Sequence, residues 1–240
     1  MLSVNNVRTV SDTKRTFYNL HTRPLNTIYR RVVEELMVEM HLLSVNEDFR
    51  YDPIYALGVV TTFDCFMQGY QPEADKQSIF DALCRSVEND PQKYKHDAEW
   101  LKGWAKNRSA KELAESISPE TDFSKAGDLA STLQAIANNP KFKYSRLFAI
   151  GLFALVETAD PEFVKDTKQV TETLAKISSG LRLPTDKLQK DLELYRSNLE
   201  KMAQARLIME DTVQAERKKR EKRASDQGVV IAPPNGQKSS

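Results

Sequence analysis

Glycine and cysteine are scarce in this chain: 240 residues hold 8 Gly, 10 Pro and 2 Cys. So few turn-formers leave an all-β fold short of the reversals it would need. Cys65 and Cys84 are the two cysteines, and each sits inside an apolar helical pattern. They read as buried free thiols in a reducing compartment, not as a disulfide scaffold. Long hydrophobic runs are also missing. The longest, Leu147 to Val156, has ten residues and is bracketed by Arg146 and Glu157. A membrane span needs about 20, so the run reads as a core helix of a chain that can lie on a membrane without crossing it. The N-terminus lacks the build of a signal peptide or an organelle import leader, and neither is expected.

Catalytic signatures are absent too. No G-x-G-x-x-G, G-x-x-x-x-G-K or G-x-S-x-G occurs, which leaves no phosphate loop and no nucleophile elbow to build on. Three histidines, His21, His41 and His96, are spread along the chain. His41 has Glu34, Glu35 and Glu39 nearby, but a carboxylate-bridged di-metal bundle uses Glu-x-x-His on two helices, and the residue three before His41 is Val38. A solvated helix face is the expectation there. Trp100 and Trp104, four apart, read as core and interface in preference to a ligand-stacking pair. No metal, cofactor or catalytic residue is assigned, and the chain does not read as an enzyme.

What the chain does have is 40% hydrophobic and 29% charged residues, the balance of a folded domain with a wet surface, and one helical period after another. The net charge of +1 conceals two cationic ends. Residues 1–31 carry six basic side chains against Asp12, and residues 216–223 carry six against two acids.

Ser11 is expected to cap a short first helix, and Pro24 to open a long one with Leu25, Tyr29, Val32, Leu36, Met40 and Leu43 on one face. Asp52-Pro53, Asp90-Pro91 and Asp160-Pro161 each read as an N-cap followed by Pro at the first helical position. Ser109 with Glu112 is a capping box. Further helices are expected from Pro72, from Asp122 and from Lys143, and Gly180 is expected to stop the one before the last. The last starts near Thr185 and meets no breaker before Gly228. In it Leu188, Leu192, Tyr195, Leu199, Met202, Arg206, Met209 and Val213 alternate spacings of four and three, a heptad seam with one polar intruder. About 40 residues at 1.5 Å each give a rod of about 60 Å. A compact body of this size is only about 40 Å across. The fold expected is therefore all-α: a flexible stretch 1–10, a multi-helix bundle over 11–180, a protruding helix of coiled-coil character over 185–224, and a disordered tail 225–240.

Two readings of the rod stand side by side: it folds back to bury its seam, or it docks a partner through Arg206, Met209 and Val213. Its basic end, Arg217, Lys218, Lys219, Arg220, Lys222 and Arg223, fits an anionic membrane surface or an acidic partner, and equally a solvated helix end that complements the dipole. Nucleic acid is not expected, because no aromatic residues accompany the basic run.

The segments RPLNTIYRRVVEEL, HLLSVN, YDPIYALGVVTTFD and YSRLFAIGLFALVE resemble the thylakoid formation protein family, also described as photosystem II biogenesis factors. The resemblance extends to about Arg223. It implies an all-helical protein without known cofactor, found in cyanobacteria and chloroplasts, connected with photosystem II assembly and repair and with thylakoid FtsH-type AAA proteases. It offers no catalytic motif to carry over. The chain looks like a cyanobacterial member, peripheral on the cytoplasmic face of the thylakoid membrane. The expectation is an accessory factor that binds and maintains the protease complex. Direct chaperoning of photosystem II subunits is the alternative, and a pigment or lipid carrier built around Leu147 to Val156 a more distant one.

Overall fold

The computed structural model describes residues 8–117 and 123–227, with side chains through residue 222. Among these residues every regular element is helical, and there is no strand. The parts of the expected N-terminal stretch and tail at 1–7 and 228–240 lie outside the described residues, as does Asp122.

The caps explain most helix starts. Helix α1 (Val10–Leu20) is capped by Thr9, which exchanges bonds with Asp12 in a capping box. Ser11 was the wrong choice: its own third residue on is Lys14, which has no acceptor to return to the cap. Helix α2 (Thr27–Ser44) begins three residues later than Pro24 suggests, after Asn26, which makes no side-chain cap bond. For α3 (Pro53–Phe66), Asp52 accepts from the Tyr55 amide at 2.9 Å. Helix α4 (Asp75–Ser86) follows Pro72 after a short turn. Asp90 starts α5 (Pro91–Lys106), and the Ser109–Glu112 box starts α6 (Ala110–Ser116) as expected.

A 3-10 turn, Ser124–Leu129, leads into α7 (Ala130–Ala137). Ser145 caps α8 (Arg146–Ala159) by accepting from the Phe148 amide at 3.1 Å. Asp160-Pro161 starts only a 3-10 turn, Phe163–Lys165. The true cap of α9 (Thr167–Gly180) is Asp166, which accepts from the Lys168 and Gln169 amides. The helix ends at Gly180 as expected, but the glycine does not itself make the left-handed turn. Arg182 takes the left-handed conformation, φ 56°, and the Leu183 amide closes back on the Ser178 carbonyl at 2.8 Å. Helix α10 (Thr185–Gln227) then runs 43 residues, three beyond the expected end at residue 224.

The chain divides into a first unit, residues 1–199, and a second, residues 200–240. In the first, α3 and α8 form the most extensive helix pair and α5 packs on both. Both helices are apolar almost all round, as central helices must be. All ten residues from Leu147 to Val156 are buried. The pair crosses at two glycines. The Gly58 Cα lies so close to the Leu147 carbonyl that a Cβ would fall 1.7 Å from its oxygen, and one on Gly151 would fall 1.9 Å from the Ile54 oxygen. Backbone rests on backbone there, a contact only glycine permits. Helix α1 packs on α2 and α4. Among the described residues no helix is long and apolar enough to cross a membrane.

Candidate interaction surface

The heptad seam of α10 changes character along its length. Leu188, Leu192 and Tyr195 are buried in the first unit. Tyr195 meets the Phe66 ring edge-on at 5.9 Å, and its hydroxyl pairs with the Cys65 thiol. Lys187 bridges to Asp191 at 2.8 Å, and the Tyr144 hydroxyl donates to the same carboxylate at 2.8 Å. Arg196 lies 4.9 Å over the Phe153 ring. The start of α10 is therefore tied to α3, to α8 and to the segment before α8.

In the second unit Met202 is still buried, while Arg206 and Met209 are half-buried. Val213 is 45% exposed, and residues 211–222 are exposed without exception. Arg217, Lys218, Lys219, Arg220 and Lys222 thus stand on a solvated helix end, while the Arg223 side chain lies outside the described residues. The most exposed large apolar side chains of the unit are Leu207 at 63% and Ile208 at 67%. Neither belongs to the seam. Counting heptads selects one face and discards these two, although adjacent branched residues off a seam are themselves a signal of a second apolar face.

The remaining candidate sites resolve into structure. His41 does not face solvent as expected: it is buried, with Nδ1 2.9 Å from the Thr13 hydroxyl, and burial together with Arg8 holds its pKa below the usual value. At neutral pH it is an uncharged packing group. The three glutamates near it are ion-paired to separate partners: Glu34 to Lys14 at 2.9 Å, Glu35 to Arg31 at 2.8 Å and Glu39 to Arg146 at 2.6 Å. His21 is buried against Ser78, and His96 is exposed beside Asp97. Among the described residues no three His, Cys, Asp or Glu side chains converge as metal ligands would.

The indole N–H of Trp104 donates to the Ala126 carbonyl at 2.9 Å and Arg108 covers the ring, so this tryptophan anchors the turn after α6. Cys84 is buried as expected, but Cys65 is only half-buried. Both are free thiols, and burial raises the pKa of each, which keeps them protonated and weakly nucleophilic.

The comparisons with known proteins agree with one another. A family model described as thylakoid formation protein matches residues 9–224. The chain is 65% identical over 232 residues to Protein Thf1 of Nostoc punctiforme, covering 97% of this chain and 99% of that one. It is 64% identical over 229 residues to Protein Thf1 of Trichormus variabilis, covering 95% and 98%. A solved structure of Psb29 superposes with a TM-score of 0.78 at 46% identity, covering 89% of this chain and 99% of that one.

Proposed function

The chain belongs to the thylakoid formation protein family, and from that premise we propose that it is a non-enzymatic accessory factor in thylakoid biogenesis and in photosystem II assembly and repair. It binds thylakoid FtsH-type AAA protease complexes and maintains them, working from the cytoplasmic face of the membrane without a span of its own. The observation that carries the reading is the fading burial of α10. A helix whose seam is last buried at Met202 goes on for several turns with Leu207, Ile208 and Val213 exposed. Continuing apolar side chains at that exposure costs solubility unless something covers them.

Arg206, Met209 and Val213 form the docking edge. Methionine adapts its shape to a partner, and an arginine there can pair bidentately with a partner carboxylate. The basic run from Arg217 holds the helix end at anionic lipid, worth about 1 kcal/mol per basic residue near such a surface. Deleting the gene tests the reading. The protease should fall in abundance, photosystem II should recover slowly after strong light, and a tagged copy should co-purify with the protease from gently solubilised thylakoids. Unchanged protease levels with impaired photosystem II would move the assignment to direct assembly work.

A further inference from the structure

A groove of about 1020 Å³ runs along the outer face of α2 in the first unit. Lys14 of α1 forms part of one wall, Lys143 comes from the segment that leads into α8, and Arg146 is the first residue of α8. Val38 and Leu42, one turn apart on α2, supply an apolar strip, and Leu42 is 57% exposed. Five basic and three acidic side chains line the groove, so it carries two positive charges in excess. The three acids are already engaged. Glu34 accepts from Lys14 at 2.9 Å and from the Tyr18 hydroxyl at 2.7 Å. Glu35 holds Arg31, and Glu39 holds Arg146.

The surplus lies at the two ends of the groove. Arg30 stands on the first turn of α2, has no ion pair among the described residues, and adds to the field on Tyr18 and on the doubly held Glu34. Lys143 has no ion pair among the described residues. It falls between Lys141, paired with Asp48, and Arg146, paired with Glu39, which sets it beside the C-terminal end of α2. From residue 30 to residue 42 a helix rises about 18 Å.

We propose that this groove takes an acidic amphipathic helix of a partner protein. Two apolar residues one turn apart cover Val38 and Leu42. Carboxylates at the two ends of a segment of about 12 residues pair with Arg30 and Lys143. A lipid has one charged end, and would want cations at one end of the strip and an apolar exit at the other. The chain's own outer segments do not fit either: residues 1–7 and 228–240 contain no Asp or Glu. The inference goes beyond the function proposed above. It concerns residues 1–199 alone, and its failure would leave docking by α10 untouched.

The test is fluorescence anisotropy with the full chain and a labelled Ala-rich helical peptide of roughly 16 residues, about four and a half turns. The peptide carries Glu in its first and last turns and two Leu four apart next to one of those turns, because Val38 and Leu42 lie at the Lys143 end of the span and Arg30 about 12 Å from Val38. A second peptide has Lys in place of Glu. The acidic peptide should bind saturably, and binding should weaken with salt as exposed charges are screened. Leu42→Glu, Arg30→Glu and Lys143→Glu should each weaken it by about tenfold or more. The double variant R30E/K143E should bind the Lys peptide instead. All three positions are exposed, and unchanged melting temperatures would show that the variants fold. Four results would overturn the proposal: no saturable binding of the acidic peptide; equal binding by the wild type and all variants; binding of anionic phosphatidylglycerol vesicles that these same variants abolish; or a dimer in light scattering that the variants dissolve.

Discussion

The crossing of α3 and α8 makes a prediction with opposite signs at chemically identical substitutions. An alanine at Gly58 would place its Cβ 1.7 Å from the Leu147 oxygen and 2.7 Å from its carbon; at Gly151 the distances to Ile54 are 1.9 and 2.9 Å. Carbon atoms rest at about 3.5–4.0 Å from their neighbours, so either methyl forces the helices apart by more than about 1.5 Å. The obstacle in both cases is helical backbone, which cannot rotate away as a side chain could. A gap of 0.5–1 Å already forfeits a quarter to a half of each contact's attraction, and this is the most extensive helix pair of the core.

Alanine gains up to about 1 kcal/mol over glycine in helix propensity. Overpacking ordinarily costs about 1–3 kcal/mol and more where nothing yields. We expect a net loss above roughly 3 kcal/mol for G58A and for G151A. At about 2–4 °C per kcal/mol for a chain of this size, each should melt on the order of 10 °C lower or fail to fold. Gly103 lies in α5 with nothing within 4 Å of its would-be Cβ, so G103A should melt slightly higher than the wild type. Thermal melts followed by far-UV circular dichroism read all three. If G58A or G151A melts within roughly 2 °C of the wild type, less than 1 kcal/mol, the close crossing is wrong.

Three further outcomes follow from particular groups. Asp52 is buried as the cap of α3, and burial pushes its pKa from 3.8 up to about 7. A folded-state pKa above the unfolded one means that the fold is favoured while the proton is held. Stability from this group is therefore present at low pH and is lost as pH rises towards 7, at about 1.4 kcal/mol per pH unit. Asp52→Asn keeps the acceptor for the Tyr55 amide, so its stability relative to wild type should rise from pH 5 to pH 8 in urea titrations, and an unchanged difference would refute the buried charge. Ser145→Ala removes the cap of α8 and should cost about 1 kcal/mol, read as a lower urea midpoint. Binding of the full chain to anionic vesicles should weaken between low and high salt, because exposed charges are screened over about 8 Å at physiological ionic strength. Retention in high salt with release by mild detergent would mean that apolar contact, not charge, holds the chain there.

How legible all this was in the sequence depended on the range of the interaction concerned. Asp52-Pro53, Asp90-Pro91 and Ser109 with Glu112 announced their helices correctly because a cap is made by residues within three of one another. The same logic failed at Asp160-Pro161, where a second cap, Asp166, lies six residues on and starts the longer helix. Two candidate caps in one short segment cannot be ranked without knowing which turn buries Val170 and Leu174. Gly58 and Gly151 were silent for a different reason. In a helix each reads as a small penalty, and only their meeting across 93 positions turns the penalty into a contact. His41 was misplaced because its burial against Thr13 comes from α1, 28 positions away. The groove is of the same kind, since its charges arrive from three separated segments. The α10 seam was legible as a period, but period alone could not say where burial would stop or that Leu207 and Ile208 would be left outside it.

The central claim is that α10 beyond its buried start is a docking element and not a strut of the core. The direct measurement is a truncation that ends the chain at Ile208, removing Met209 onward, assayed for melting temperature and for recovery of FtsH-type protease from solubilised thylakoids. The first unit ends at Leu199, and every residue from 211 to 222 is exposed. The truncated chain should therefore melt within a few degrees of the full chain, a loss of no more than about 1 kcal/mol, and recover no protease. A truncation that melts far lower would make the helix end part of the core, and one that is stable and still recovers the protease would place the binding site within residues 1–208.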